Sequence, residues 1–259
     1  MSSRRNGGNR TAAVAPGKQV LVVDVGGSHV KCFATSAAEP REFKSWRHMT
    51  ATQMVERVRA LVEDWAYDVV SIGYPGAVEN NAPAKDPHNL GTGWRGFDFQ
   101  TAFTRPVKVL NDSAMQAYGA YRGGKMLFLG LGTGLGSALI VDGIMVPLEL
   151  AHLPYKKHDS YEDRVGKRGL ERYGEKKWLR EVARVIELFR RALLPEYIVL
   201  GGGNTARIGA PPAGVTLVDN RAAFTGGFRL WEPAFDVAPK NPSTFPVADP
   251  NLLEEAHHE

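Results

Sequence analysis

Two strand ends and two glycine turns hold most of the chemistry in this sequence. Between residues 107 and 137 an apolar run stops at Asn111-Asp112, and a short helical pattern follows. A second apolar run, 126–131, then leads into Gly132-Thr133-Gly134. Nearer the start, the β-branched run 19–25 ends in Asp24-Val25-Gly26-Gly27-Ser28, and an apolar strand resumes at Val30. Glycine turns let backbone N–H groups approach an anion closely, because no Cβ intervenes. A carboxylate at one strand end and a glycine turn at the next can face one crevice. That is equipment for phosphoryl transfer: the acid takes a proton from a hydroxyl nucleophile while the loop holds phosphate charge. Ser28 adds a hydroxyl donor, and Asp24 can hold Mg2+ through water, since hard cations prefer carboxylate oxygen. Plainer readings exist for each piece. Gly-Gly in a hairpin also serves as a simple turn, and Asp112 before Ser113-Ala114 also suits a helix N-cap.

The elements that must position these residues follow from periodicity. Short apolar runs bounded by turn residues predict strands over 19–25, 30–34, 68–73, 106–110, 126–131, 138–141, 144–148, 197–200 and 215–218. Asp142-Gly143 is a hairpin-turn signal between two of them. Met54, Val55, Val58, Leu61, Val62 and Trp65 share one face of a helix over 50–65. Helical patterns also cover 161–173 and 175–194, the latter with Trp178, Val182, Val185, Ile186 and Phe189 on one side. The loop 91–99 is rich in Gly and aromatic residues, with Asn89 and Trp94 able to line a pocket, and a third glycine turn, Gly201-Gly202-Gly203-Asn204, follows the strand 197–200.

Composition bounds the rest. A chain of 259 residues with 43% hydrophobic and 23% charged content can bury a sizeable core. No apolar run approaches the ~20 residues that span a bilayer. The start is basic without an apolar core, so no secretory signal is read there and a cytoplasmic protein is expected. Cys32 alone makes no internal disulfide and no zinc site. The net charge is +4, yet between residues 155 and 191 twelve Lys/Arg face seven Asp/Glu, a local +5. That stretch is either a solvated helix face or a surface for a polyanion. Gly119 to Lys125 imitates a P-loop frame, but Met126 stands where Ser or Thr must bind Mg2+. Gly130 to Gly136 likewise misses the last glycine of a dinucleotide fingerprint.

In order, Asp24-Val-Gly-Gly-Ser28-His-Val-Lys31, Pro75-Gly76, Asn111-Asp112, Leu131-Gly-Thr-Gly-Leu-Gly136, Glu149-Leu-Ala-His152 and Leu200-Gly-Gly-Gly203 resemble the ROK family of sugar kinases, in particular its glucokinase and polyphosphate glucokinase branch. The resemblance implies an actin-like (ribonuclease-H-like) ATPase fold with two α/β domains around a cleft, here over 18–113 and 114–234. A basic disordered tail over 1–17 and a weakly structured tail over 235–259 flank them. It implies that Asp112 is the catalytic base. Asn89, Asn111, Glu149, His152 and Glu171 become sugar-binding residues. Asp24, Gly26, Gly27, Ser28 and Lys31 form the first phosphate loop, and Gly132, Thr133 and Gly134 the second. Gly201, Gly202 and Gly203 form the adenosine-side turn. The implied reaction is transfer of a phosphoryl group to a hexose, glucose at its 6-hydroxyl, from ATP with Mg2+ or from polyphosphate. A homodimer without nucleic-acid or membrane partners is the default. Two departures stand out: Ala151 replaces the glycine of Glu-x-Gly-His, and 166–171 follows the family's Gly-x-x-Gly-Cys-x-Glu segment without cysteines, so no structural zinc is expected. The alternatives are a kinase for another hexose, such as an N-acetylhexosamine, or a sugar-responsive regulator. A regulator would need a helix-turn-helix module, and fewer than twenty residues precede Val20.

Overall fold

The computed structural model describes residues 17–232, so the tails expected over 1–17 and 235–259 lie, Gly17 apart, outside the described residues. Within them the chain builds two five-stranded sheets that repeat one topology. Strands β1 (Val20–Val25), β2 (His29–Ala34) and β3 (Arg41–Lys44) form an antiparallel meander. Helix α1 (Ala51–Leu61) then crosses to β4 (Val69–Tyr74), which adds parallel to β1. A small hairpin, β5 (Val78–Glu79) and β6 (Ala82–Pro83), and helix α2 (Phe99–Phe103) lead to β7 (Val107–Asn111), parallel to β4. The order is β3-β2-β1-β4-β7.

Helix α3 (Asp112–Ala120) starts directly at the end of β7 and delivers the chain to the second sheet. There β8 (Lys125–Leu131), β9 (Leu135–Val141) and β10 (Ile144–Leu148) make another meander. Asp142 and Gly143, both at positive φ, close its second turn as the Asp-Gly pair predicts. The chain continues through the ribbon β11 (Pro154–Lys156) and β12 (Asp159–Ser160) and the helices α4 (Tyr161–Val165), α5 (Lys167–Tyr173) and α6 (Glu175–Leu193). Then β13 (Tyr197–Gly201) adds parallel to β8 and β14 (Val215–Leu217) parallel to β13, giving β10-β9-β8-β13-β14. Helix α7 (Arg221–Arg229) ends the described fold.

Alternation along the strands gives each sheet two buried faces. In the first sheet Leu21 and Val23 pack with Met54, Val58 and Phe103 under α1 and α2, while Val20 and Val22 turn to Met115 of α3 and to Ala223 and Phe224 of α7. In the second, Leu127 and Leu129 pack with Trp178, Val182 and Ile186 of α6, while Met126, Phe128 and Val199 turn to Ala117 and Tyr118 of α3. Helix α3 therefore lies between the sheets and is covered by both. It crosses α7 backbone to backbone: a Cβ on Gly119 would overlap the carbonyl of Ala222, and one on Gly226 the carbonyl of Met115. Gly227 presses on Val22, and buried Ser71 of β4 donates to the Gly227 carbonyl at 2.6 Å and accepts from Trp231 at 2.9 Å.

Three sequence expectations change. The helix expected over 161–173 is two helices broken at Gly166, because that glycine sits under Glu162 and Thr133 and Lys167 N–H donates to the Thr133 carbonyl at 3.1 Å. Helix α7 carries a Gly-Gly pair that lowers helix propensity, and no helix is expected there from pattern alone. Trp94 lines no pocket: it is fully buried, with its indole N–H on the Met49 carbonyl at 3.0 Å.

Candidate active site

Asp24 and Asp112 come together from distant parts of the chain. Asp24 is the penultimate residue of β1, and Asp112 follows the last residue of β7 as the first residue of α3, on the same sheet with β4 between them. Burial pushes the Asp24 carboxyl up to about 7, the Asp112 charge pushes the same way, and Lys31, its cross-strand partner, opposes both. Burial also raises Asp112, to about 6, against hydrogen bonds from Ser113, whose N–H reaches its carboxylate at 2.7 Å. Two interacting carboxylates supply hard oxygen donors, and the single ammonium of Lys31 does not neutralise both. A divalent cation such as Mg2+ fits that set, and Asp24 is the residue that would hold it. Burial next to Asp24 also drives the Cys32 thiol up to about 12, so this cysteine is an inert core residue.

Asn111 is the helix cap that the sequence assigned provisionally to Asp112. Its side-chain oxygen accepts from Ser113 and Ala114 N–H at 3.0 and 3.2 Å, and its amide donates to the Gly76 carbonyl at 3.1 Å. This leaves one amide hydrogen for a ligand. The arrangement frees the Asp112 carboxylate from capping and fixes the start of α3 to the Pro75-Gly76 turn.

The two glycine turns occupy equivalent places, each between the first and second strands of its sheet. In the first, Gly26 N–H closes on the His29 carbonyl at 2.9 Å, while the Gly27 and Ser28 N–H groups have no acceptor among the described residues. Asn89 packs beside Gly27, where an added Cβ would lie 3.2 Å from that of Asn89. In the second, Gly132 N–H turns back to the Gly134 carbonyl at 3.2 Å, and the Thr133 and Gly134 N–H groups have no acceptor among the described residues. Each turn thus presents two successive free donors, a form that suits anions. The third turn lies directly on the second: Gly202, at φ 87°, sits where a Cβ would be 2.6 Å from the Leu131 carbonyl, and Asn204 donates to the Gly132 carbonyl at 2.9 Å.

The repeat also explains a glycine pair. Gly130 and Gly136 stand opposite each other where the first sheet has Asp24 and Lys31. The side chain of Ser113 fills the space they leave. The strands parallel to β1 and β8 carry Gly73 and Gly201 at matching positions, and α3 rests Met115 on the first and Gln116 on the second.

The remaining sugar-site candidates are open to solvent. Glu149 and His152 lie on the turn after β10, 3.9 Å apart, with side chains 76% and 73% exposed. Ser137 ties that turn to β9 by donating to the Leu148 carbonyl and accepting from Leu150 N–H. Glu171 stands on α5 and pairs with Lys167 at 3.7 Å, with no hydrogen bond or ion pair to Asn111, Glu149 or His152 among the described residues. It also falls one position short of the glutamate in the Gly-x-x-Gly-Cys-x-Glu frame, where Arg172 stands. Two residues at the site escape sequence reasoning. Ser113 bonds the Asp112 carboxylate, and Glu162 accepts from Leu135 N–H at 3.3 Å with its carboxylate against Gly134. Adjacency to Asp112 was the signal for the first; Glu162 was visible only as one charge in a basic stretch.

The ROK family model matches residues 20–147. The polyphosphate glucokinase of Mycobacterium leprae is 30% identical over 148 residues, 52% of this chain and 45% of that protein. The Mycobacterium tuberculosis enzyme of the same name is 28% identical over 149 residues, 52% of this chain and 56% of that protein. The chain thus spans about half the length of the curated relatives it matches. An inorganic polyphosphate/ATP-glucomannokinase from Arthrobacter superposes with a TM-score of 0.69 at 24% identity, covering 82% of this chain and 97% of the other. A ROK family glucokinase from Streptomyces griseus, in complex with glucose and AMPPNP, superposes at 0.62 with 18% identity, covering 85% and 99%. These likenesses give the described residues the actin-like ATPase fold. The segment that holds Asp24, Asp112 and the first two glycine turns is the part of the chain that the ROK family model matches.

Proposed function

We propose that the chain is a sugar kinase that transfers a phosphoryl group to glucose, at its 6-hydroxyl, from inorganic polyphosphate or ATP. The observation that carries this reading is Asp112: a buried carboxylate raised to about 6, with free N–H pairs in the glycine turns of both sheets. A base with a pKa just below neutrality is ionised at working pH and still accepts a proton readily. In this reading Asp112 takes the proton from the sugar hydroxyl as its oxygen attacks the terminal phosphorus. The bond from that phosphorus to the bridging oxygen breaks, and the rest of the donor leaves with the electron pair. Asn89, Asn111, Glu149 and His152 hold the sugar, whose hydroxyls both donate and accept. The Gly27, Ser28, Thr133 and Gly134 N–H groups hold the donor's phosphate oxygens, and Gly201 to Gly203 flank a nucleotide when ATP serves. Mg2+ held near Asp24 supplies charge neutralisation on the donor when bound.

Two observations favour polyphosphate as a donor: the names of the curated relatives and the positive stretch between 155 and 191. The two sheets with their helices act as the lobes 18–113 and 114–234, and the chain works as a homodimer. Exposed Ile144 and Val146 on edge strand β10 support an apolar contact there. No described helix is long and apolar enough to cross a membrane. The test is a side-by-side assay of both donors against a panel of hexoses that includes mannose and an N-acetylhexosamine. Conversion of no sugar with either donor would end the kinase reading, and preference for another hexose would replace glucose.

A further inference from the structure

The basic stretch is not uniform in the fold. Several of its cations are matched one to one: Lys156 on Glu181 at 2.7 Å, Arg168 on Asp163 at 3.0 Å and Arg190 on Glu187 at 3.2 Å. Four of its cations, Lys157, Arg164, Arg172 and Lys177, line one cavity of about 350 Å³ together with His158, Asp159 and Tyr173. Its floor is the Tyr173 ring, with Arg164, Arg172 and Lys177 stacked 4.7, 5.1 and 4.5 Å from its centroid. The one carboxylate, Asp159, is already shared among the Arg164 guanidinium at 2.6 Å, the Arg172 guanidinium at 3.4 Å and the Tyr173 hydroxyl at 3.0 Å. Lys157 and Lys177 have no carboxylate partner among the described residues. Four permanent cations thus converge on one anion. Like charges held this close repel, and the net positive field they leave attracts an anion of several charges.

The cavity is joined to the second glycine turn through α4 and α5. Glu162 of α4 contacts Gly134 and Leu135, and Lys167 at the start of α5 bonds Thr133, while Arg164 and Arg172 of the same two helices form the cavity. Glu162 and Arg164 stand two apart on α4, so they leave opposite sides of the helix. The cavity is therefore separate from the turn that would hold the transferred phosphoryl group. We propose that this cavity is a distal docking site for inorganic polyphosphate, holding phosphates remote from the reacting end of a chain long enough to pass around α4. This rests on the kinase reading above and assigns its donor.

The variant Lys157→Gln/Lys177→Gln removes two charges that support no ion pair, keeps the side-chain stems and leaves Asp159, Arg164 and Arg172 in place. The readout is the Kd of long-chain polyphosphate, by equilibrium dialysis, and the ratio of its KM to that of tripolyphosphate, which is too short to reach around the helix. The double variant should raise both the Kd and the KM ratio by roughly three- to tenfold at low salt, with the difference shrinking as salt is added. Equal long-chain affinity in variant and wild type would overturn the docking site while leaving the kinase reading intact. An equal rise in both KM values would also overturn it, because the cavity would then serve the reacting end. Wild-type protein that phosphorylates sugar with ATP yet binds no long-chain polyphosphate overturns the site and the donor assignment together.

Discussion

Burial, and after it the charge of Asp112 one strand away, raises the pKa of Asp24, so two acids at the C-terminal ends of β1 and β7 titrate as a pair. Their roles follow from their surroundings. Asp24 lies opposite Lys31 at the foot of the first glycine turn, whereas Asp112 has only Ser113 as a polar partner and opens the helix that runs between the sheets. The reading of Asp112 as base makes a direct prediction. Asp112→Asn keeps the shape and the Ser113 contact but removes the proton acceptor. Turnover should fall by ~10²–10⁴, while sugar affinity by calorimetry changes little. Substantial surviving turnover would assign the base elsewhere.

The pair also sets a pH dependence. The rate with saturating donor should rise with pH as the acids ionise, in steps near 6 and 7 that belong to the pair as a whole. Stability runs the other way. The Asp24 pKa, about 7 in the fold, lies above the ordinary carboxylate value of about 3.9. Its contribution is therefore fully present below that ordinary value and is lost as pH rises through 7. Asp24→Asn removes this loss and should stabilise the protein at pH 8 by on the order of 2 kcal/mol, with little change at pH 4. Urea denaturation at both pH values checks it, and an equal effect at the two would contradict the assigned titration.

Asn111 joins structure and site. Asn111→Ala deletes the acceptor for Ser113 and Ala114 N–H and the bond to Gly76. It should cost about 1–2 kcal/mol and lower kcat more than sugar affinity, because the start of α3 loosens. Asn111→Asp retains the cap and should recover most of the stability, as thermal melts would show.

The α3–α7 crossing depends on the absence of side chains. Gly226→Ala places a methyl group on the Met115 carbonyl, so the helices must separate. A loss of about 1–3 kcal/mol is expected. Gly209→Ala, whose added Cβ meets nothing within 4 Å, is the control and should be nearly neutral. Equal melting temperatures for the two variants would show that the crossing yields more easily than its geometry suggests.

Most strands were legible because β-branched runs ended at Gly, Asp or Asn, and those same endings marked Asp24, Asp112 and the glycine turns. Local pattern cannot show a contact between elements far apart in sequence. Helix α7 hides behind Gly226-Gly227, whose value is the close approach to α3 and Val22. The break between α4 and α5 hides because Gly166 is required by Thr133, not by its own helix. The spacing of the acids gave no hint that Asp24 and Asp112 share one electrostatic environment. Trp94 misled for the opposite reason: an aromatic residue in a Gly-rich loop looks available, yet Met49 and the surrounding core claim it completely.

Helix α3 touches each sheet at the glycine that the internal repeat makes equivalent, Gly73 on one side and Gly201 on the other. It is also clasped by α7, which returns the chain to β1. Any rocking of one sheet against the other must therefore turn or slide α3, and Asp112 sits at its first residue. Asp112 is the tip of a lever whose bearings are glycine backbone, and a shift of one sheet against the other would change its aim.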